Sequence, residues 1–474
     1  MKSVLSVVYF LSIVVFVILY VFLPVSYDNQ TETAVLVYTL LLTLSFFRLY
    51  KQMRGKNGNR FSPIVLFIIG FLIVFYQYYV DVAIGIKSPA DIAFLSSDLI
   101  LRSTIMSSIG LFAFFLGAVT ISNVSNRPQR YNTDVIYDIK PIRILFVVAS
   151  GLWLIFNLES CLSGTYSQAD LEQKAGTMSN YSNILFMMSY LSLLAFVANN
   201  CMKIKNNSVA YFFKEMGILP VVGILVFVLL TMNLGDRGPI ITVLSSLCGS
   251  LLISTNKHIS WGQLVIGMAV VASLFTMIGL ARGISGESMY DKMQMVEARP
   301  DETCLPITAE LAASQQILQY AIEYVPEKYD YFYGGFQLRQ ILAAIPFSSR
   351  VTSLFIDQDW RLRSSAFFMT YLIQGDFYAY GNGTSLIADL YMSFGIIGVI
   401  LGMLWLGRIM MKNEVLVDSR KHSSLYVLLL YVCLCGYAVV ESRSSLLSPF
   451  NFIAFSLITT YFFMRISPKK YNNG

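Results

Sequence analysis

A chain of 474 residues, 56% hydrophobic and only 13% charged, lies outside the range of soluble domains, in which about a quarter of residues carry charge. With a mean hydropathy of +0.62, the composition is that of a polytopic membrane protein and excludes a soluble globular or disordered one. The net charge of +6 is spread along the chain, and nucleic acid is not an expected partner.

Apolar runs close to the roughly 17 to 25 residues needed to cross a hydrocarbon core predict an all-α fold of about twelve transmembrane helices. They lie near 4–24, 33–47, 61–80, 103–122, 143–158, 181–200, 216–233, 239–254, 261–281, 384–407, 424–440 and 446–464. The first holds about 20 apolar residues, more than a signal-peptide core, and no small-residue cleavage site follows it, so it is expected to be a retained span. With both termini cytoplasmic, the inner segments hold 21 of the 34 Lys and Arg and only 5 of the 28 Asp and Glu, as the positive-inside rule requires. The inner bases are 12 Lys and 9 Arg, the outer ones 4 Lys and 9 Arg. Arginine presents a planar fork suited to phosphate or carboxylate, so the outer face carries the better anion-binding set. Of the six cysteines, Cys201, Cys248, Cys433 and Cys435 fall in or beside apolar spans. Cys161 and Cys304 lie on outer segments and could pair in an oxidising compartment.

About 100 residues separate the ninth and tenth spans, which divides the chain into spans one to nine (1–281), a large extracytoplasmic loop (282–383), and spans ten to twelve with a cytoplasmic tail (384–474). A loop of that length is expected to be ordered or functional. It mixes a helical stretch, "ITAELAASQQILQYAIEYV" at 307–325, with an aromatic run, "YDYFYGGF" at 329–336, and reads as a mostly helical cap. Leu311, Ile317, Leu318 and Ile322 recur near the helical period, so one face of that helix should pack. A second outer loop, Glu159 to Tyr181, has polar residues suited to sugar hydroxyls and equally to any wet loop. No internal repeat of the kind many transporters show is evident.

The candidate chemistry lies where charge meets the outward ends of spans, because charge in membrane helices is costly and usually kept for function. In "NLGDRGPII", Asp236 and Arg237 open the eighth span between Gly235 and Gly238. Arg237 sits at a helix N-terminus that favours anions, against the bland role of a snorkelling anchor; Asp236 equally suits an N-cap. Arg282 ends the ninth span in "GLARG". Asp389 follows "GNGTSLIA", with Thr384 or Ser385 as N-cap, at a depth where an acid should face a wet cavity or a partner. Glu441 and Arg443 close the eleventh span in "VVESRSS", where a fixed ion pair is the alternative. The large loop adds Glu310, Arg339 and, ending "IPFSSR", Arg350. The span interiors read as almost uncharged. His258 and His422 fall on inner loops, so an outer site is without imidazole. No GxxxxGK[ST], HExxH or GxSxG is present, so neither a metal nor a nucleotide cofactor is expected and the substrate should arrive already activated.

Four stretches, "NLGDRGPIITVL", "GLARG", "IPFSSR" and "GNGTSLIADLYMSFGIIGVILGML", with "VVESRSS" in support, resemble the Wzy-type polymerases of O-antigen and related surface polysaccharides, which are similar in fold to O-antigen ligases. The resemblance implies a glycosyltransferase on the outer face of the bacterial cytoplasmic membrane. It would move a growing glycan from undecaprenyl diphosphate to the non-reducing end of a lipid-linked repeat unit, with a chain-length-regulating co-polymerase as a possible partner. Arg237, Arg282 and Arg443, with Arg350 and Arg339, would bind diphosphate, and a carboxylate from Glu441, Asp236, Asp389 or Glu310, in that order, would deprotonate the acceptor. The paired arginine, ten residues, glycine pattern of some polymerases is not matched: Gly249 follows Arg237 one residue too late, and Arg282 has no such glycine. The related ligases use a histidine on the large loop, which this chain lacks; ligase and lipid-linked oligosaccharide flippase are the alternatives.

Overall fold

A computed structural model describes residues 2–22, 28–54, 59–121, 135–163, 177–204, 208–234, 236–267, 269, 303–305, 308–343, 345, 359–378, 380–418, 424–467 and 469–471. In chain order these form α1 (Lys2–Phe22), α2 (Asn29–Arg54), α3 (Pro63–Ala83), the short α4 (Pro89–Ile92), α5 (Asp98–Thr120), β1 (Val135–Tyr137), α6 (Lys140–Ser163), α7 (Thr177–Ile204), α8 (Val209–Met216), α9 (Ile218–Leu234) and α10 (Arg237–Thr255). There follow α11 (Ala309–Ala312), α12 (Gln315–Tyr324), α13 (Gly335–Ala343), a 3-10 turn (Trp360–Leu362), α14 (Ser365–Gln374), α15 (Leu386–Asp418), α16 (Leu425–Tyr437), a 3-10 turn (Glu441–Arg443), α17 (Phe450–Ile466) and β2 (Lys469–Tyr471).

Helices satisfy their own backbone groups, as hydrocarbon demands. Eight of them (α1, α2, α3, α5, α6, α7, α10 and α15) are long and apolar enough to cross a membrane, and the pair α8 and α9, bent by 90° at Gly217, could form one more. Eleven of the twelve expected spans coincide with described helix; the ninth is helical at 261–267 and lies otherwise outside the described residues. At 13 residues, α16 spans only about 20 Å. One departure from an all-α chain is a two-stranded antiparallel sheet that pairs Val135 with Tyr471 and Tyr137 with Lys469. Cys161 and Cys304 are both free thiols, so the expected option of a bridge is not taken.

Two apolar cores organise the bundle. The first joins α1, α2, α3, α5, α12, α14 and α15; the second joins α6, α7, α9, α10 and α17, and α16 contributes to both. Ile317, Leu318 and Ile322 of α12 are buried in the first core, as their spacing predicts. At one end of the bundle, Glu414 accepts hydrogen bonds from Tyr50 Oη (2.6 Å) and Ile64 N (2.9 Å). Arg54 lies 3.5 Å from Glu414 and 2.8 Å from Asp418. At the other end, buried Glu32 accepts from Thr104 Oγ1 at 2.7 Å. Glu32 is in the first turn of α2 and Glu414 is close to the end of α15, so neither places a charge in a helix interior. From sequence, Glu32 and Glu414 fall outside the spans at 33–47 and 384–407, because hydropathy drops at these acids while the helix continues through them.

The expected tenth span is not one continuous helix. Residues of α15 leave helical geometry at Phe394 (φ −146°, ψ 22°) and Gly395 (φ 62°, ψ −149°), which divides it into a first arm, 386–393, and a second, 396–418. In an unbroken helix Leu390 and Gly402 would stand about 18 Å apart, yet the Leu390 side chain abuts Gly402, and its carbonyl lies where a Cβ on Gly398 would come within 2.5 Å. The first arm thus folds back along the second. The second arm runs beside α5, with Gly407 against the Phe114 backbone, and by itself, at 1.5 Å per residue, spans about 34 Å.

Candidate active site

Asp389 sits in the middle of the first arm. Ser385 caps this arm by accepting from Ala388 N at 3.4 Å. Its far end is capped from outside: Phe332 N donates to Met392 O and Tyr333 N to Ser393 O, each at 2.9 Å. These bonds satisfy carbonyls that a helix end leaves open, and the Phe332 ring packs against Phe336 and Phe368. Gly334 (φ 80°) turns that run into α13.

Asp389 is fully buried. Its Oδ2 accepts from Gln337 Nε2 at 2.8 Å and from Leu446 N at 3.1 Å. Among the described residues Oδ1 is buried without a hydrogen bond. Ser393 Oγ, bonded to the Asp389 carbonyl at 2.8 Å, also donates to Gln337 Oε1 at 2.9 Å, so Gln337 is held from both sides. One turn on, Gln340 Nε2 donates to Ser445 Oγ. Two segments distant in sequence, α13 and the turn after α16, therefore meet on the Asp389 arm.

That turn carries Glu441, 3% exposed, whose Oε2 accepts a long bond from Ser444 Oγ at 3.4 Å. Burial pushes its carboxyl well above the usual carboxylate range, and the neighbouring Asp389 pushes the same way. The turn is seated on α3: a Cβ at Gly70 would come within 2.5 Å of Val439 O, so only glycine admits that approach.

Arg237 reaches the same end through α10, which runs antiparallel to α16. Ser246 Oγ bonds Val432 O at 3.2 Å, Gly436 abuts Thr242, and Gly249 abuts Cys435. Continuing that register, Arg237 precedes Thr242 by five residues as Glu441 follows Gly436 by five, which puts both at one end of the pair. Asp236 Oδ1 accepts from Gly238 N at 3.3 Å, so it is the N-cap of α10. Arg237, Arg339 and Arg443 are half-buried, and none of them is without a partner. Glu310 falls in α11, whose Ala309 carbonyl accepts from Tyr78 Oη at 3.1 Å near the end of α3. Arg282 and Arg350, with Gly235, lie outside the described residues.

The site residues that sequence reasoning missed are Gln337, Gln340, Ser393, Ser445 and the Leu446 amide. Neutral amides and hydroxyls carry no compositional signal. The one available clue was "SFGIIG" after Asp389, a glycine pair inside an apolar run.

The buried carboxylates, the broken helix that holds one of them and the arginines lie toward the same end of a membrane bundle. The family model of the O-antigen polysaccharide polymerase Wzy matches residues 4–471. The chain belongs to that family. It is accordingly a multi-pass membrane protein of polysaccharide biosynthesis. No curated protein and no solved structure matches it, so the Wzy geometry above is read from this chain alone.

Proposed function

We propose that this Wzy polymerase transfers a growing glycan from undecaprenyl diphosphate to the non-reducing end of a lipid-linked repeat unit, on the outer face of the cytoplasmic membrane. The observation that carries the reading is the meeting of two buried carboxylates, Asp389 and Glu441, at the bundle end that also holds Arg237 and Arg443. The excess of Lys and Arg on the opposite side of the sequence topology supports this end as the outer one, with residues 282–383 as its cap.

In this reading the diphosphate is the leaving group, so neither a nucleotide nor a metal is required. Arg237 and Arg443 hold it and stabilise the charge that develops as the glycosidic bond to phosphate breaks. Glu441 accepts the proton of the acceptor hydroxyl; its single long hydrogen bond leaves it available, and its raised proton affinity suits a general base. Asp389, gripped by Gln337 and the Leu446 amide, fixes the geometry of the turn and the arm. Arg282 and Arg350 complete the diphosphate set, Arg339 flanks it from α13, and Asp236 positions Arg237. A chain-length-regulating co-polymerase fits the cap as a partner.

The test is deletion of the gene followed by size separation of surface glycan. Loss of the ladder with single repeat units retained supports a polymerase; loss of all surface glycan would point to ligase or flippase. In the complemented strain, Glu441→Gln should lower polymer formation by about 10²- to 10⁴-fold, the usual contribution of a general base, at unchanged membrane level.

A further inference from the structure

The first arm of α15 has a second polar face. At about 100° per residue, Tyr391 points roughly opposite to Asp389. Its hydroxyl meets that of Tyr20 from α1 at 3.3 Å, and its ring lies edge-on to Tyr331, with centroids 6.2 Å apart. Tyr331 is the residue whose hydroxyl reaches the Gly395 break. Three phenols from three separate elements thus converge beside the arm.

Arg102, in the second turn of α5, joins them. Lys2 donates to Ile121 O, the Tyr9 ring packs tilted against Phe115, and Phe16 lies edge-on to Phe112. This antiparallel register between α1 and α5 brings Tyr20 to the level of residues just above Arg102, and the guanidinium lies within electrostatic range of the Tyr20 hydroxyl. Arg102 is half-buried, and among the described residues it makes no ion pair or hydrogen bond. Asp98, one turn earlier on the same helix face, does not pair with it, and Glu32 is bonded to Thr104. A guanidinium at a span end that lies near the Tyr20 phenol and, among the described residues, has no carboxylate partner suits an anion from outside the chain.

We propose that Arg102, with the hydroxyls of Tyr20, Tyr391 and Tyr331, binds the diphosphate of a second lipid-linked substrate. This rests on the reading above that both donor and acceptor arrive on polyprenyl diphosphate. Arg237 and Arg443 serve one diphosphate on the Asp389 face of the arm, and Arg102 serves the other on the Tyr391 face. The broken helix then separates the two carriers while its residues touch both.

Full-length protein in nanodiscs of neutral phosphatidylcholine is titrated with farnesyl diphosphate, with farnesol as the uncharged control, and the bound equivalents are counted by native mass spectrometry. Wild type should hold two equivalents, Arg102→Ala one, and Arg102→Lys two, with each variant eluting like wild type on size exclusion; Lys preserves charge at the site and controls for misfolding. Two equivalents retained by Arg102→Ala overturn the proposal. So does a loss confined to added phosphatidylglycerol or inorganic pyrophosphate, which would make this a phospholipid headgroup or free-anion site. Arg237→Ala is the independent arm: if it too keeps both equivalents the diphosphate reading of the whole site fails, whereas its loss of one while Arg102→Ala keeps two rejects the Arg102 site alone.

Discussion

Replacing Gly395 with alanine tests whether the folded-back arm is needed for polymerisation. At φ 62° and ψ −149°, Gly395 occupies backbone space that other residues essentially do not visit, at a cost on the order of 1 to 3 kcal/mol. The new Cβ would also lie 2.9 Å from Tyr331 Oη and 3.1 Å from its Cζ, so the Tyr331 ring must shift, which disturbs the 331–333 loop that carries it. That loosens the bonds from Phe332 and Tyr333 to the arm, each contributing about 1 kcal/mol net. Without assuming additivity, about 2 to 4 kcal/mol shifts against the arm, a roughly 30- to 1,000-fold loss of its native placement at 1.4 kcal/mol per tenfold. The crossing helix 396–418 begins after the break, so membrane insertion should be unaffected. In a complemented deletion strain, Gly395→Ala should therefore shorten or abolish the surface-glycan ladder at normal protein level. Gly151→Ala, where a Cβ meets nothing within 4 Å, should leave the ladder intact. A normal ladder from Gly395→Ala would refute the claim that the arm's placement controls activity.

Three further outcomes follow from the same geometry. Because burial raises the Glu441 carboxyl and the base must be ionised to act, polymer formation from purified lipid-linked units should be full above that raised value. It should fall as pH drops through it, well above the ~4.3 of an ordinary glutamate; a rate constant down to about pH 5 would contradict this role. Asp236→Ala removes a helix cap at a cost of about 1 kcal/mol and should leave most of the ladder, whereas Arg237→Ala should erase it; equal effects from the two would remove the distinction between cap and ligand. Arg54→Ala strands the buried Glu414 beside Asp418, and loss of one partner from a buried pair costs roughly 3 to 5 kcal/mol. Thermal unfolding of the detergent-purified variant should show a clear loss of stability, and an unchanged midpoint would mean that the cluster is solvated.

Hydropathy made most helices legible because the bilayer imposes one length and one backbone solution on every crossing. Ser385 as cap, Asp236 as cap and the buried face of α12 were readable for the same reason: each is set by neighbours within four residues. The break in α15 was not, since "SFGIIGVILG" is as apolar as the helix on either side, and only the fold shows that the helix breaks at Phe394 and Gly395 and that Gly398 admits the returning Leu390. Glu414 and Glu32 were hidden because their partners, Tyr50 and Thr104, lie on other helices. Nor could spacing have joined Asp389 to Gln337 and Leu446, which are 52 and 57 residues from it.

The placement of the site follows from how the two cores meet. Asp389 belongs to the first core through the α15 arm, whereas the turn that carries Glu441, Ser445 and Leu446 links α16 to α17, which packs in the second. The turn also touches the first core, with Val439 on Gly70 of α3, where no side chain fits, and the Leu446 amide on Asp389. Asp389 Oδ2 receives the Leu446 amide only when both cores are docked, so the same bond that completes the site also reports on the assembly of the bundle. That coupling accounts for a fully buried acid on a half-length helix: in an uninterrupted span, Asp389 would be carried along the α5 surface, away from the turn, and would have no amide to receive it.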